Sequence, residues 1–181
     1  MPSAYAAWVA AHPMLSAAVQ FALLGTLGEI VASSLKRRGI ALPCGGGQIA
    51  AKALAWALLG LVIKYGFTGT KGFTQVLLDK GMLPAFLAHG VGKALAVSVL
   101  TNTFFGPQMM LFHRIEDNLI LGQRGFQGIQ KAWWTLLWFW IPAHTLTFSL
   151  PAEYQIGLAA LWGLVLGILL GWAKPGSVRR T

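Results

Sequence analysis

From residue 14 to residue 35 the chain carries a single formal charge, Glu29. A helix needs about 20 predominantly apolar residues to cross the hydrocarbon core of a bilayer. This run is long enough, and comparable runs follow. Residues 49–67 make a second candidate span, with Lys52 and Lys64 near its ends, where both can snorkel to the headgroups. Residues 82–112 make a third, longer than one crossing requires. Residues 132–150 make a fourth with no formal charge, and residues 156–173 a fifth that only just reaches across. The expected fold is all-α, one integral membrane domain, a polytopic helix bundle of four or five spans. Composition agrees: the chain is 56% hydrophobic and 10% charged. Soluble domains carry about 25% charged residues.

Punctuation between the runs is clear. Pro13 stands ahead of the first span, and residues 3–11, with Tyr5 and Trp8, suit a short interfacial helix. Lys36-Arg37-Arg38-Gly39 ends the first span. Gly66, Gly69 and Gly72 are expected to loosen the end of the second, with Phe73 to Leu78 as a short apolar turn. Gly106-Pro107 should kink or break the third, Pro142 should bend the fourth, and Pro151 should stop or kink it again. Residues 113–131, the most polar stretch, are expected to form a loop or a surface-lying segment. Trp133 and Trp134 mark a membrane interface. Lys174-Pro175-Gly176 closes the last run. The first residues lack the basic region of a signal peptide and the arginines of a mitochondrial presequence, so any targeting is expected to be internal.

The net charge is +9, from 14 basic and 5 acidic residues. Basic residues come singly or in the two short runs Lys36-Arg37-Arg38 and Arg179-Arg180. That scatter argues against a nucleic-acid footprint and for anchoring to lipid headgroups. For four spans the basic residues divide almost evenly between the two sides, so the positive-inside rule gives no orientation. The lone Cys44 allows no intrachain disulfide and no thiolate metal site; it sits in the glycine-rich connection Pro43-Cys44-Gly45-Gly46-Gly47.

Charges inside lipid are costly and so are candidates for function. Glu29 lies deep in the first run and Lys93 well inside the third. Two opposite charges in an otherwise apolar chain are expected to pair, as a tie between helices, or to share a water-filled path. Gly163, Gly167 and Gly171 recur every four residues, with Ala159 extending the row, and bare one helix face for close packing. Packing within the chain is the favoured reading, and a dimer seam, hence a homo-oligomer, is the alternative. His113, Glu116 and Asp117 supply too few ligands for a tight metal site and are read as a solvated helix end. His144, two residues after Pro142, is read as a partner for a carbonyl that the proline frees. The chain has no HExxH, GxSxG, Walker or Rossmann motif. No enzyme activity, metal or cofactor is expected.

Several local motifs carry a family resemblance. They are Tyr5, His12-Pro13, Gly25, Gly28-Glu29 and Arg37-Arg38-Gly39; then Gly66-Phe67-Thr68-Gly69, Leu78-Asp79-Lys80 and Pro84; then Gly106-Pro107; finally Trp140-Ile141-Pro142, Thr147-Phe148, Pro151 and Tyr154. The pattern resembles the family of the twenty-two-kilodalton peroxisomal membrane protein and the Mpv-type protein of the mitochondrial inner membrane. The resemblance spans nearly the whole chain, with Glu29 where the family usually has aspartate and Gln155 where it has arginine. It implies a small multi-span protein of a mitochondrial inner or peroxisomal membrane in a eukaryote, and of the plasma membrane otherwise. Members have been proposed to form pores for small solutes that support organelle homeostasis. The expected function is therefore a pore or channel for small hydrophilic solutes, lined by Glu29 and Lys93, with Pro107 and Pro142 letting the bundle open. The alternative is a non-conducting structural or assembly protein of the same membrane.

Overall fold

A computed structural model describes residues 3–172, with the backbone alone given for 170–172. Helices α1 (Ala4–Ala11), α2 (Pro13–Arg37) and α3 (Gly46–Asp79) come first. A 3-10 turn then leads to α4 (Gly90–Leu100), a π-helical turn (Thr101–Phe105) and α5 (Gly106–Leu121). α6 (Ile129–Thr135), a second π turn (Leu136–Trp140) and α7 (Ile141–Phe148) follow, and α8 (Ala152–Trp172) comes last. There is no strand among the described residues. Four stretches, Pro13–Arg37, Gly46–Asp79, Gly90–Leu121 and Ala152–Leu169, are long and apolar enough to cross a membrane.

The fourth expected run behaves differently. α6 packs on α5, the second π turn on the first, and α7 on α4. Residues 129–148 therefore run antiparallel along the whole α4–α5 rod, and at about 1.5 Å per residue they cover about 30 Å. The chain thus passes five times between two ends of the bundle. One end holds the α2–α3 and α5–α6 connections. The other holds α1, the α3–α4 connection and Pro151.

Exposure separates lipid from interior. Leu23, Leu54, Tyr65 and Leu119 are among the large apolar side chains that stand out from the bundle. Ser16, Thr74, Ser98, Thr101, Asn102 and Thr147 are buried within it. A surface so apolar is out of place in water and matches a hydrocarbon solvent. The protein is an integral membrane protein. Two of the buried hydroxyls are satisfied on their own helices: Thr74 donates to the Thr70 carbonyl (2.7 Å) and Thr147 to that of Ala143 (2.9 Å).

Small residues let the helices close. A Cβ on Gly60 would lie 2.6 Å from the Ala17 carbonyl oxygen and 2.8 Å from the Phe21 Cβ. One on Gly25 would enter the Trp56 ring. α2 thus lies against α3 on one side and α8 on the other, around a core of Ala17, Phe21, Phe67, Ile156, Ala159 and Ala160.

Several expectations need correction. α3 does not loosen at Gly66, Gly69 and Gly72 but runs on to Asp79, so Phe73 to Leu78 is helical. Thr68 and Thr70 bond back to carbonyls one turn earlier, and Gly66 gives room to the Phe105 ring. The third rod starts at Gly90, not residue 82, and continues to Leu121 through part of the stretch expected to be a loop. Helix continues through Gly106-Pro107, so the third rod is not broken there, and it continues through Pro142 as well. Each proline is the second residue of a helix that follows a π turn. A proline ring clashes with the carbonyl four residues back. Widening the preceding turn relieves that clash: the N–H of Gly106 reaches the Thr101 carbonyl, and that of Ile141 the Leu136 carbonyl. Pro151 does separate two helices, and its carbonyl accepts from the Tyr154 N–H (3.0 Å). Lys174-Pro175-Gly176 and Arg179-Arg180 lie outside the described residues.

Candidate functional site

The passes line a partly open cavity of about 340 Å³. Its wall is mostly apolar, with Phe21, Trp56, Phe67, Phe105, Met109 and Leu136 prominent. Its polar wall residues are few. Glu29 and His113 stand toward the end with the α2–α3 connection, and Thr101, Asn102 and His144 stand deeper in the bundle.

Glu29 does not meet Lys93. Its partner is Lys52, whose Nζ lies 2.7 Å from Glu29 Oε2 and 2.7 Å from Asp117 Oδ1. Lys52 is 4% exposed, so it is a buried cation held between two carboxylates rather than a snorkelling one. The indole N–H of Trp56 donates to Glu29 Oε1 (2.8 Å), which engages the second carboxylate oxygen. The triad ties α2, α3 and α5 together. Lys52 is the one cation of the triad, so removing it leaves two carboxylates uncompensated and costs about 3–5 kcal/mol.

Lys93 sits in the first turn of α4, at the opposite end of the bundle. It donates to Gln75 Oε1 (2.6 Å), and Gln75 Nε2 donates to Asp79 Oδ1 (2.7 Å), in an exposed surface network. Lys93 therefore does not line the cavity.

His113, Glu116 and Asp117 do not form a solvated helix end. His113 stacks on Trp56 with 4.6 Å between ring centroids. Its ring nitrogens stand 4.0 Å from Glu116 Oε2 and 4.0 Å from Asp117 Oδ2, too far for hydrogen bonds. Among the described residues no group of three or more His, Cys, Asp or Glu side chains is arranged to hold a metal ion.

The deeper polar group has no carboxylate, lysine or arginine on the cavity wall. Asn102 donates through Nδ2 to the Ser98 carbonyl (2.8 Å) and lies 3.1 Å from His144 Nδ1. His144 thus contacts a side-chain amide rather than a carbonyl freed by Pro142. Ile141 O, just before Pro142, accepts from both Ser98 Oγ (2.7 Å) and Thr145 Oγ1 (2.8 Å), which ties α7 to α4. Thr101 bonds Thr70 (2.9 Å), and beyond it Lys71 donates to Gln155. The π turns matter here because Thr101, Asn102 and Phe105 come from the first and Leu136 and Trp140 from the second.

Comparison with known proteins finds no matching family model, no matching curated protein and no matching solved structure.

The glycine row divides. Gly167 would place a Cβ 3.5 Å from the Gly28 carbonyl oxygen, so it packs α8 on α2 within the chain. A Cβ on Gly163 would meet nothing within 4 Å, because Gly163 faces the cavity. Gly171 lies where only the helical backbone is described.

Sequence reasoning missed Lys52, Asp117, Asn102 and His144. A signal for the first existed. In an antiparallel hairpin, residues at similar distances from the turn face each other. Glu29 precedes the end of α2 by about two turns and Lys52 follows the start of α3 by nearly as much.

Proposed function

We propose that the protein is a conduit for small, uncharged hydrophilic solutes, working through the central cavity. The observation that carries this reading is a space of about 340 Å³ inside a membrane bundle, with polar groups toward one end and again deeper in. That is room for about ten water molecules. An ion entering would be stripped of water among aromatic rings and thioethers, and both oxygens of the wall carboxylate are already engaged. A neutral solute avoids the larger part of that cost. The resemblance to the peroxisomal and mitochondrial membrane protein family supports a solute-passing role and a place in an organelle membrane. Purified protein in sealed liposomes should speed swelling in glycerol or urea over empty liposomes, with a smaller effect in potassium chloride. Vesicles as tight as the protein-free control in every solute would overturn the reading.

A second reading is favoured by one observation: the triad binds three helices and leaves Glu29 without a free oxygen, as a structural tie does. In that reading the protein is a non-conducting assembly component. Filling the cavity with Gly163→Leu discriminates, since it should block flux in the conduit and leave a purely structural role untouched.

A further inference from the structure

The five-pass topology sorts the basic residues by end. The end with the α2–α3 connection carries Lys36, Arg37 and Arg38, and beside it lie Arg124 in the α5–α6 connection and Lys131 in the first turn of α6. All five are exposed; of the two acids near the end of α5, Asp117 is held by Lys52 and Glu116 stands 4.0 Å from His113. Gln48, in the first turn of α3, donates from Nε2 to the Ile120 carbonyl near the end of α5 (3.2 Å), so the two connections lie at the same end. Apolar side chains stand out among them: Ile40, Leu42, Phe126 and Trp134. At the opposite end Lys80 follows Asp79, Lys71 donates to Gln155, Lys93 joins the network of Gln75 and Asp79, and Glu153 opens α8, so three lysines stand against two acids.

We infer that the basic end is a seat for anionic phospholipid headgroups, and that it fixes the chain with this end on the side from which it is inserted. Cations interspersed with protruding aromatic and aliphatic side chains match a headgroup layer, where the charges meet phosphate and the apolar groups enter the acyl boundary. A nucleic acid or an acidic protein would have no use for Ile40 and Phe126. Arg124 and Lys131 follow the third pass as Lys36 to Arg38 follow the first, so both groups lie at the same end of the bundle. This inference does not depend on the cavity conducting anything.

The chain holds its own reporter, since Cys44 is its one cysteine and lies in the α2–α3 connection. The full-length protein would be expressed in the bacterial inner membrane and probed with a membrane-impermeant maleimide. Cys44 should label in inverted vesicles and not in right-side-out ones. Ser3→Cys in a Cys44→Ser background should do the reverse, and Gln130→Cys in the same background should follow Cys44. Replacing Lys36, Arg37, Arg38, Arg124 and Lys131 together by glutamine should let each reporter label from both sides. In nanodiscs, adding phosphatidylglycerol to phosphatidylcholine should raise the unfolding midpoint of the native protein by several degrees, and of the five-fold variant by less than half as much. Labelling of Cys44 from the outside, or an unchanged orientation and lipid response in the five-fold variant, would overturn the proposal.

Discussion

Two lysines at opposite ends of the bundle make nearly the same contacts and do different work. Lys52 lies 2.7 Å from each of two carboxylates, and Lys93 lies 2.6 Å from an amide oxygen that leads to a carboxylate. Distance does not separate them; burial does. Lys52 is enclosed by α2, α3 and α5, so its charge has no water to fall back on. The Lys93 network is exposed, so water replaces any bond it loses. In a membrane protein an ion pair counts for what its absence would leave behind.

The sharpest way to break this comparison is Lys52→Met. It should lower stability by about 3–5 kcal/mol, read as loss of the folded fraction in detergent during denaturant titration. Adding Glu29→Gln and Asp117→Asn should restore most of it, because no charge is then stranded. A triple variant no more stable than the single one would show that the triad holds more than its own charges. The helix seam beside the triad should respond next. Gly60→Ala forces a methyl against the Ala17 carbonyl and should cost about 1–3 kcal/mol, whereas Gly163→Ala, facing open space, should be nearly silent in the same melt. Asn102→Ala removes the bonds to Ser98 and His144 and should cost about 1 kcal/mol. Smallest of all, Lys93→Met should stay within about 0.5 kcal/mol of the native protein. A large loss there would mean that Lys93 is shielded from solvent by the bilayer.

The amino-acid sequence shows the class of this fold well. Apolar runs, the prolines and the basic turn at Lys36 to Arg38 mark where helices lie, since lipid leaves a chain few ways to satisfy its backbone. It shows pairings poorly. Glu29 was matched with the other charge of similar apparent depth, yet depth counted along a run is not depth in the bundle. The run holding Lys93 begins eight residues later in space than in hydropathy, because residues 82–89 form a loop and a 3-10 turn. That shift takes Lys93 to the rim. The helical continuation to Leu121 was hidden for the opposite reason. Residues 113–121 look polar, and only the fold supplies the cation that lets Asp117 enter the bundle. The π turns leave no mark in apolarity at all, though both precede a proline, and the ring's clash with the turn before it is a reason to look there.

The adjacency of Glu29 and Lys52 on consecutive helices bears on how the polypeptide is made. α2 and α3 form a hairpin whose acid and base already face each other, so the nascent pair leaves the insertion machinery electrically balanced and needs no later segment to shield it. Asp117 then arrives with α5 to a cation that is already in place, and the third rod docks against a finished ledge.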